Sequence, residues 1–285
     1  DEIRRARLLL ENSGKTLSEP IQNDQTKQAF LLSVSSVHPD TDKITPVLFR
    51  PPAFLPISLP LVVVSSLQLQ AKHNFFYQFV FHTYTTGFTL LNGNATTKAE
   101  EYSVQQKQIF YSLGAISYAA CIGAFPLVFM NRYTLKSPFT QLVVKKLLPA
   151  PLLGLMSAFT VAVARSPEFE NGIEVMDRNG KVVGVSQKAG EKAVKETALS
   201  RAVLFGTTFF LPAVLMHFVE RRAKFAKTPR ALASVRILVI TSVLAGMLPV
   251  SLSMFPQCGE IKRADLEPEI VSSTEETELF YNRGI

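Results

Sequence analysis

Long apolar runs that are free or nearly free of ionised side chains constrain this chain more than any other feature. They cover residues 54–69, 109–130, 141–164, 199–219 and 237–255. A helix needs about 20 apolar residues to cross a bilayer, so the pattern predicts an all-α membrane protein with about five transmembrane helices. Pro56 and Pro60 fall early in the first run and predict a bent or partly unwound start. Lys145 and Lys146 sit near one end of the third, where their heads can snorkel to the interface.

The segments between the runs are polar. Residues 2–12 read as a short amphipathic helix, with Ile3, Leu8, Leu9 and Leu10 apolar and Glu2, Arg4, Arg5, Arg7 and Glu11 wet; Gly14 stops it. A second helix over 24–37 is expected to end at Pro39, because proline cannot continue the backbone ladder. Residues 74–92 carry no charge but many hydroxyls, which suits either a span or an interfacial helix. Asn179-Gly180, flanked by short β-prone runs, predicts one small β-hairpin over about 172–186. The expected organisation is a 1–50 N-terminal amphipathic region, a 51–256 multi-pass helical domain holding the hairpin, and an acidic 257–285 tail.

The net charge of +7 and pI near 9.4 would raise nucleic acid as a partner for a soluble chain. Here the cations lie beside apolar runs, above all Arg221, Arg222, Lys224, Lys227, Arg230 and Arg236, so the expected partner is the lipid bilayer and not nucleic acid. The two cysteines, Cys121 and Cys258, are too few for an iron–sulfur cluster, which takes four thiolates. His38, His73, His82 and His217 are not at metal-ligand spacing, and no nucleophile-elbow, zincin or phosphate-loop motif occurs. No cofactor, metal site or enzyme activity is therefore expected. Pro126, Pro149, Pro151, Pro212 and Pro249 fall inside the later runs. Broken membrane helices free backbone groups that transporters use for substrate, although proline is also common in membrane helices that are merely kinked.

Between the polar start and the first apolar run lies Val37-His38-Pro39-Asp40-Thr41-Asp42-Lys43-Ile44. It reads either as a turn in which Asp40 or Thr41 caps the next helix, or as a polar cluster at the mouth of a bundle. His38-Pro39-Asp40-Thr41 with Lys43 resembles the signature of the sideroflexins, mitochondrial inner-membrane proteins. The 172–186 segment and Phe255-Pro256-Gln257 are similar to family segments too. The closing Asn282-Arg283-Gly284-Ile285 resembles the family's Asn-Lys-Gly-Leu and implies a native C-terminus, while the family's longer N-terminal region implies a trimmed start.

The resemblance implies an amino-acid-transporter-like protein of the inner membrane, and the positive-inside pattern places its N-terminus in the matrix. The partners it implies are an amino acid or other small zwitterion. Resemblance to one member of the family implies instead a non-transporting factor in respiratory complex I assembly and iron–sulfur or haem metabolism, with complex I assembly factors as partners. The candidate gate is His38, Asp40, Thr41 and Lys43, and the candidate substrate path is Gln78, His82, Thr85, Thr89 and Asn92. Transporting relatives are rich in Asn and Gln along this helix. Here Phe81, His82, Thr85 and Thr89 stand at amide positions, so efficient serine transport is not expected.

Overall fold

The computed structural model describes residues 2–12, 24–38, 40–95, 102–134, 136–222 and 228–285. The chain divides into two compact units, Asp1–Ile57 and Ser58–Ile285.

In the first unit, α1 (Glu2–Asn12) and α2 (Asp24–Ser36) pack together. Helix α1 is amphipathic, as its pattern predicts; α2 is only weakly so, with Leu31 and Val34 exposed, and Ala6 and Ala29 are buried. An antiparallel bridge between Val37 and Ile44 closes a tight loop after α2. Two 3-10 turns follow, Val47–Phe49 and Pro51–Ala53, and α3 (Phe54–Leu67) begins. The sequence allowed Asp40 or Thr41 to cap the next helix. The turn forms, but the next helical turn starts after Pro46 and has no side-chain cap. The expected stops at Gly14 and Pro39 lie outside the described residues.

The second unit is a helical bundle with a small sheet. Its helices are α4 (Ala71–Asn92), α5 (Tyr102–Arg132), α6 (Pro138–Leu142), α7 (Pro149–Ala164), α8 (Ser166–Asn171), α9 (Gln187–Arg222) and α10 (Pro229–Ser253). Five residues of π-helical backbone, Val143–Leu147, join α6 to α7. Among the described residues, four stretches are long and apolar enough to cross a membrane: Val104–Arg132, Pro138–Ala164, Gln187–Arg221 and Pro229–Ser253. The expected fifth span falls short. Helix α3 has 14 residues, about 21 Å at 1.5 Å per residue, against a hydrocarbon core of about 30 Å. Helix α4 has 22 residues and about 33 Å. Its hydroxyls and amides lower its hydropathy, and most of them face inward.

Helices α7 and α9 approach closely. A β-carbon on Gly154 would lie 2.9 Å from Ala202 O and 3.2 Å from Gly206 Cα. Small residues at this crossing let two backbones meet, the usual way for membrane helices to gain packing contact.

The hairpin forms as predicted, from β1 (Ile173–Met176) and β2 (Val182–Ser186). Asp177 Oδ1 accepts from the Asn179 and Lys181 amides at 2.8 and 2.9 Å. Gly180 takes φ 77°, a conformation that favours glycine. The hairpin is not the whole of the β-structure. The segment expected to be an acidic tail folds as β3 (Cys258–Lys262), α11 (Pro268–Ser273) and β4 (Glu278–Asn282), and completes an antiparallel sheet of order β2-β1-β4-β3. Ile261, Leu279 and Tyr281 alternate with outward residues that include Glu260 and Glu278, and bury against Val175, Ala189 and Ala193. The acids dominate the composition of this segment and hide a period-2 apolar face.

Candidate functional site

The proline-bearing helices α5, α7 and α9 meet around a cavity of about 190 Å³ within the second unit. Pro126 of α5, Pro149 of α7 and Pro212 of α9 all line it, together with Val144 and Lys145 from the π-helical turn. Pro151 and Pro249 are not in its wall. The expected breaks do not form at Pro126 or Pro212, because α5 and α9 run on through them, and Pro149 opens α7 just after the π-helical turn. Three of the five prolines still converge on one place, where that widened turn and the carbonyls that proline leaves without an N–H partner give room for a solute.

One wall is built by α3 and α4. Gln78 Nε2 donates to Ser65 Oγ at 3.0 Å, and Asn74 Nδ2 donates to Ser65 O at 3.1 Å. Both amides line the cavity, and both keep a carbonyl oxygen with no partner among the described residues. Gly123 makes room for this arrangement: a β-carbon there would lie 3.0 Å from Cδ and Oε1 of Gln78. The lining also carries two cations, Lys145 and Arg236, and among the described residues no carboxylate. Arg236 is half-buried and 3.7 Å from Glu220. Amide oxygens accept from an ammonium group and cationic heads hold a carboxylate.

Of the predicted path residues, Gln78 lines this cavity. Thr85 donates to Phe81 O at 3.1 Å, Thr89 to Thr85 O at 2.9 Å, and Asn92 to Phe88 O at 2.8 Å, so all three bond back to their own helix. His82 is fully buried, and neither ring nitrogen has a partner among the described residues. Thr86 Oγ1 is likewise unpartnered. Burying such an atom unpaired costs about 1–3 kcal/mol. Phe81 packs edge-on against Phe205 with ring centroids 4.8 Å apart.

The predicted gate residues lie in the first unit, in the loop closed by the Val37–Ile44 bridge. The His38 amide donates to Lys43 O at 3.0 Å, the Asp42 amide to His38 O at 3.0 Å, and the Asp40 amide to His38 Nδ1 at 3.2 Å. Asp42 takes φ 55° and receives a 2.5 Å bond from Arg7 Nη2. The imidazole thus organises the turn by accepting from the backbone two residues on. Thr41 sits at its apex, half-exposed.

A second polar centre escaped sequence reasoning. Arg165, at the end of α7, forms a two-pronged ion pair with Glu168. Its Nη1 donates to Thr197 Oγ1 at 2.7 Å and its Nη2 to Arg283 O at 2.6 Å. Glu168 in turn accepts from the Asn94 amide at 3.1 Å and from Asn94 Nδ2 at 3.0 Å. This hub joins the end of α4, the α7–α8 corner, α9 and the C-terminal segment. Burial holds Arg283 below the ordinary arginine value, and it donates to Leu252 O near the end of α10. Burial and the hydrogen bond to Glu196 push the Tyr281 phenol up. An Arg followed three residues later by a Glu at the end of an apolar run was the available signal, but its partners lie far away in sequence.

The profile of the sideroflexins matches residues 1–285. Sideroflexin-4 of Danio rerio is 45% identical over 285 residues, covering 100% of this chain and 89% of the relative. Sideroflexin-4 of Homo sapiens is 37% identical, covering 100% and 82%. Sideroflexin-5 of Homo sapiens is 32% identical, covering 99% and 83%. No solved structure matches. With a full-length profile match and relatives above 30% identity along almost all of the chain, this protein belongs to the sideroflexin family.

Proposed function

We propose that this sideroflexin carries an amino acid or another small zwitterion across the mitochondrial inner membrane, with its N-terminus in the matrix. The observation that carries the reading is the cavity itself. Three proline-bearing helices meet there, with amide oxygens of Asn74 and Gln78 that have no partner among the described residues and cationic side chains on Lys145 and Arg236. An ammonium and a carboxylate on one small molecule match that pair of walls. Phe81 spends an amide position on packing, so serine is a poor substrate. Uptake of a panel of labelled amino acids into liposomes holding the purified protein tests this. Saturable uptake of at least one, with serine slower than in a serine-transporting paralogue, is expected. No uptake of any, in vesicles where a paralogue works, overturns it. Asp40→Ala in the same assay tests the loop of the first unit as a gate.

One observation favours a second reading. Phe81 is packed on Phe205, and Thr85 and Thr89 are bonded to their own helix, as in a fold kept after transport has been given up. In that reading the protein is an assembly factor supporting respiratory complex I and iron–sulfur or haem metabolism. Co-purification of tagged protein with complex I assembly intermediates, alongside absent uptake, would support it. Absence of such intermediates would remove it.

A further inference from the structure

Asn74, Gln78, His82 and Thr86 fall at every fourth position of α4, and so form one stripe along it. The stripe is about 18 Å long at 1.5 Å per residue. All four side chains are buried, and each leaves at least one polar atom without a partner among the described residues: Asn74 Oδ1, Gln78 Oε1, both nitrogens of His82, and Thr86 Oγ1. Their neighbours Thr85 and Thr89 are satisfied by the helix backbone. Within α4 the unsatisfied buried atoms therefore all fall on this one line, whereas those elsewhere among the described residues are scattered over Ser58, Asn94, Ser112, Ser157, Glu267 and Arg283. Only the first two residues of the stripe reach the cavity.

Buried polar atoms in native proteins find partners in almost every case. A whole line of them without any points to a second arrangement in which they meet water. The two ends of α4 are held very differently. Just past its C-terminal end, Asn94 gives two hydrogen bonds to buried Glu168 and one to Asn282 O, and the Ile285 amide donates to Asn92 O. At its N-terminal end, the side-chain bonds to α3 are those of Asn74 and Gln78, and both go to Ser65.

We propose that Asn74, Gln78, His82 and Thr86 line a water-accessible stretch of the solute path, opened when α4 swings from Ser65 about its anchored C-terminal end. This rests on the transport reading for its purpose but not for its test. In the closed state the path ends at the cavity. In the open state the stripe continues it toward Thr86, and imidazole, amide and hydroxyl replace water's hydrogen bonds to a passing solute.

The test is thiol modification in reconstituted protein. Cys121 and Cys258 are free and exposed, so they are first replaced by serine. His82→Cys and Thr86→Cys are then compared with Leu204→Cys and Leu244→Cys, at two fully buried apolar positions. The probe is methanethiosulfonate ethylammonium, which reacts with a hydrated thiolate. Thr86→Cys is nearly isosteric, so it serves if His82→Cys does not fold. The proposal predicts modification at 82 and 86 about tenfold or more faster than at 204 and 244. Ser65→Ala, which removes one anchoring bond, should raise both rates about threefold to tenfold, the equilibrium shift that one buried hydrogen bond implies. Rates at 82 and 86 equal to those at 204 and 244 overturn the opening, and rates indifferent to Ser65→Ala overturn the hinge. Fast labelling in a protein that moves no solute leaves the opening standing and removes the transport reading instead.

Discussion

Arg165 meets Glu168 through two parallel hydrogen bonds of 2.6 Å, and both side chains are almost wholly withdrawn from solvent. The pair locks the α7–α8 corner. Through Asn94, Thr197 and the Arg283 carbonyl it also ties that corner to α4, α9 and the C-terminal segment. Removing one partner would strand a buried charge. Glu168→Ala is predicted to destabilise the second unit by about 3–5 kcal/mol, read as a large fall in Tm in detergent. Arg165→Lys should also destabilise it, because an ammonium cannot reproduce the planar fork. A Tm unchanged in Glu168→Ala would remove the hub as a structural centre.

Gly190 and Gly284 serve the same hub. A β-carbon at 190 would collide with the Glu168 carbonyl, and one at 284 would sit 2.9 Å from Arg165 Nη2 on a backbone with φ 74°. Gly190→Ala should prevent stable folding, because the obstacle is backbone. Gly284→Ala should lower Tm by several degrees. Size-exclusion profiles and thermal scans of the two variants check the order.

Gly123 faces a flexible side chain instead. A β-carbon there meets the Gln78 amide at 3.0 Å, and the amide can move aside. Gly123→Ala should leave Tm within about 1–2 °C, in keeping with a change that needs only a small local shift, while raising KM for uptake severalfold. An unchanged KM would mean that the Gln78 amide does not touch the solute.

The folded C-terminal segment has a pH signature. Glu267 Oε1 accepts from the Gln187 and Lys188 amides at 2.9 and 3.1 Å, at the start of α9. Burial pushes this carboxyl up, but the hydrogen bonds from Ser186, Lys188 and Gln187 outweigh it and leave the value lowered. A lowered carboxylate contributes stability at neutral pH, and that stability is lost as pH falls through its folded value. Hydrogen-exchange protection in 258–282, with the intrinsic exchange rate at each pH divided out, should therefore fall on acidification. Glu267→Gln should show the lower protection already at neutral pH and a flatter pH dependence. A variant with unchanged exchange at neutral pH would contradict the assignment.

The legible parts of this molecule were those whose signal is local. Apolar runs marked the four long membrane helices, and Asn179-Gly180 marked the hairpin, because turn chemistry is decided by adjacent residues. The prolines suggested broken helices, yet α5, α9 and α10 continue through Pro126, Pro212 and Pro249, and only packing brings Pro126, Pro149 and Pro212 to one cavity while leaving Pro151 and Pro249 out. The 54–69 run looked long enough to span until the helix stopped at Leu67 with 14 residues. Strands β3 and β4 were obscured by the acids of the whole segment and by their five-residue length, which leaves Ile261, Leu279 and Tyr281 as the inward apolar signal. The Arg165 hub was least legible of all, since its members come from 94, 165–168, 197 and 282–283 and none marks the others in sequence.

The most direct test of transport through the cavity is equilibrium exchange of a labelled amino acid in liposomes, comparing the unaltered chain with Ala213→Phe. Ala213 lines the cavity on α9 beside Pro212, and phenylalanine there fills it. The account predicts saturable exchange by the unaltered protein and a loss of about tenfold or more in Ala213→Phe, with Tm retained. Exchange of equal rate in a folded Ala213→Phe protein would contradict it.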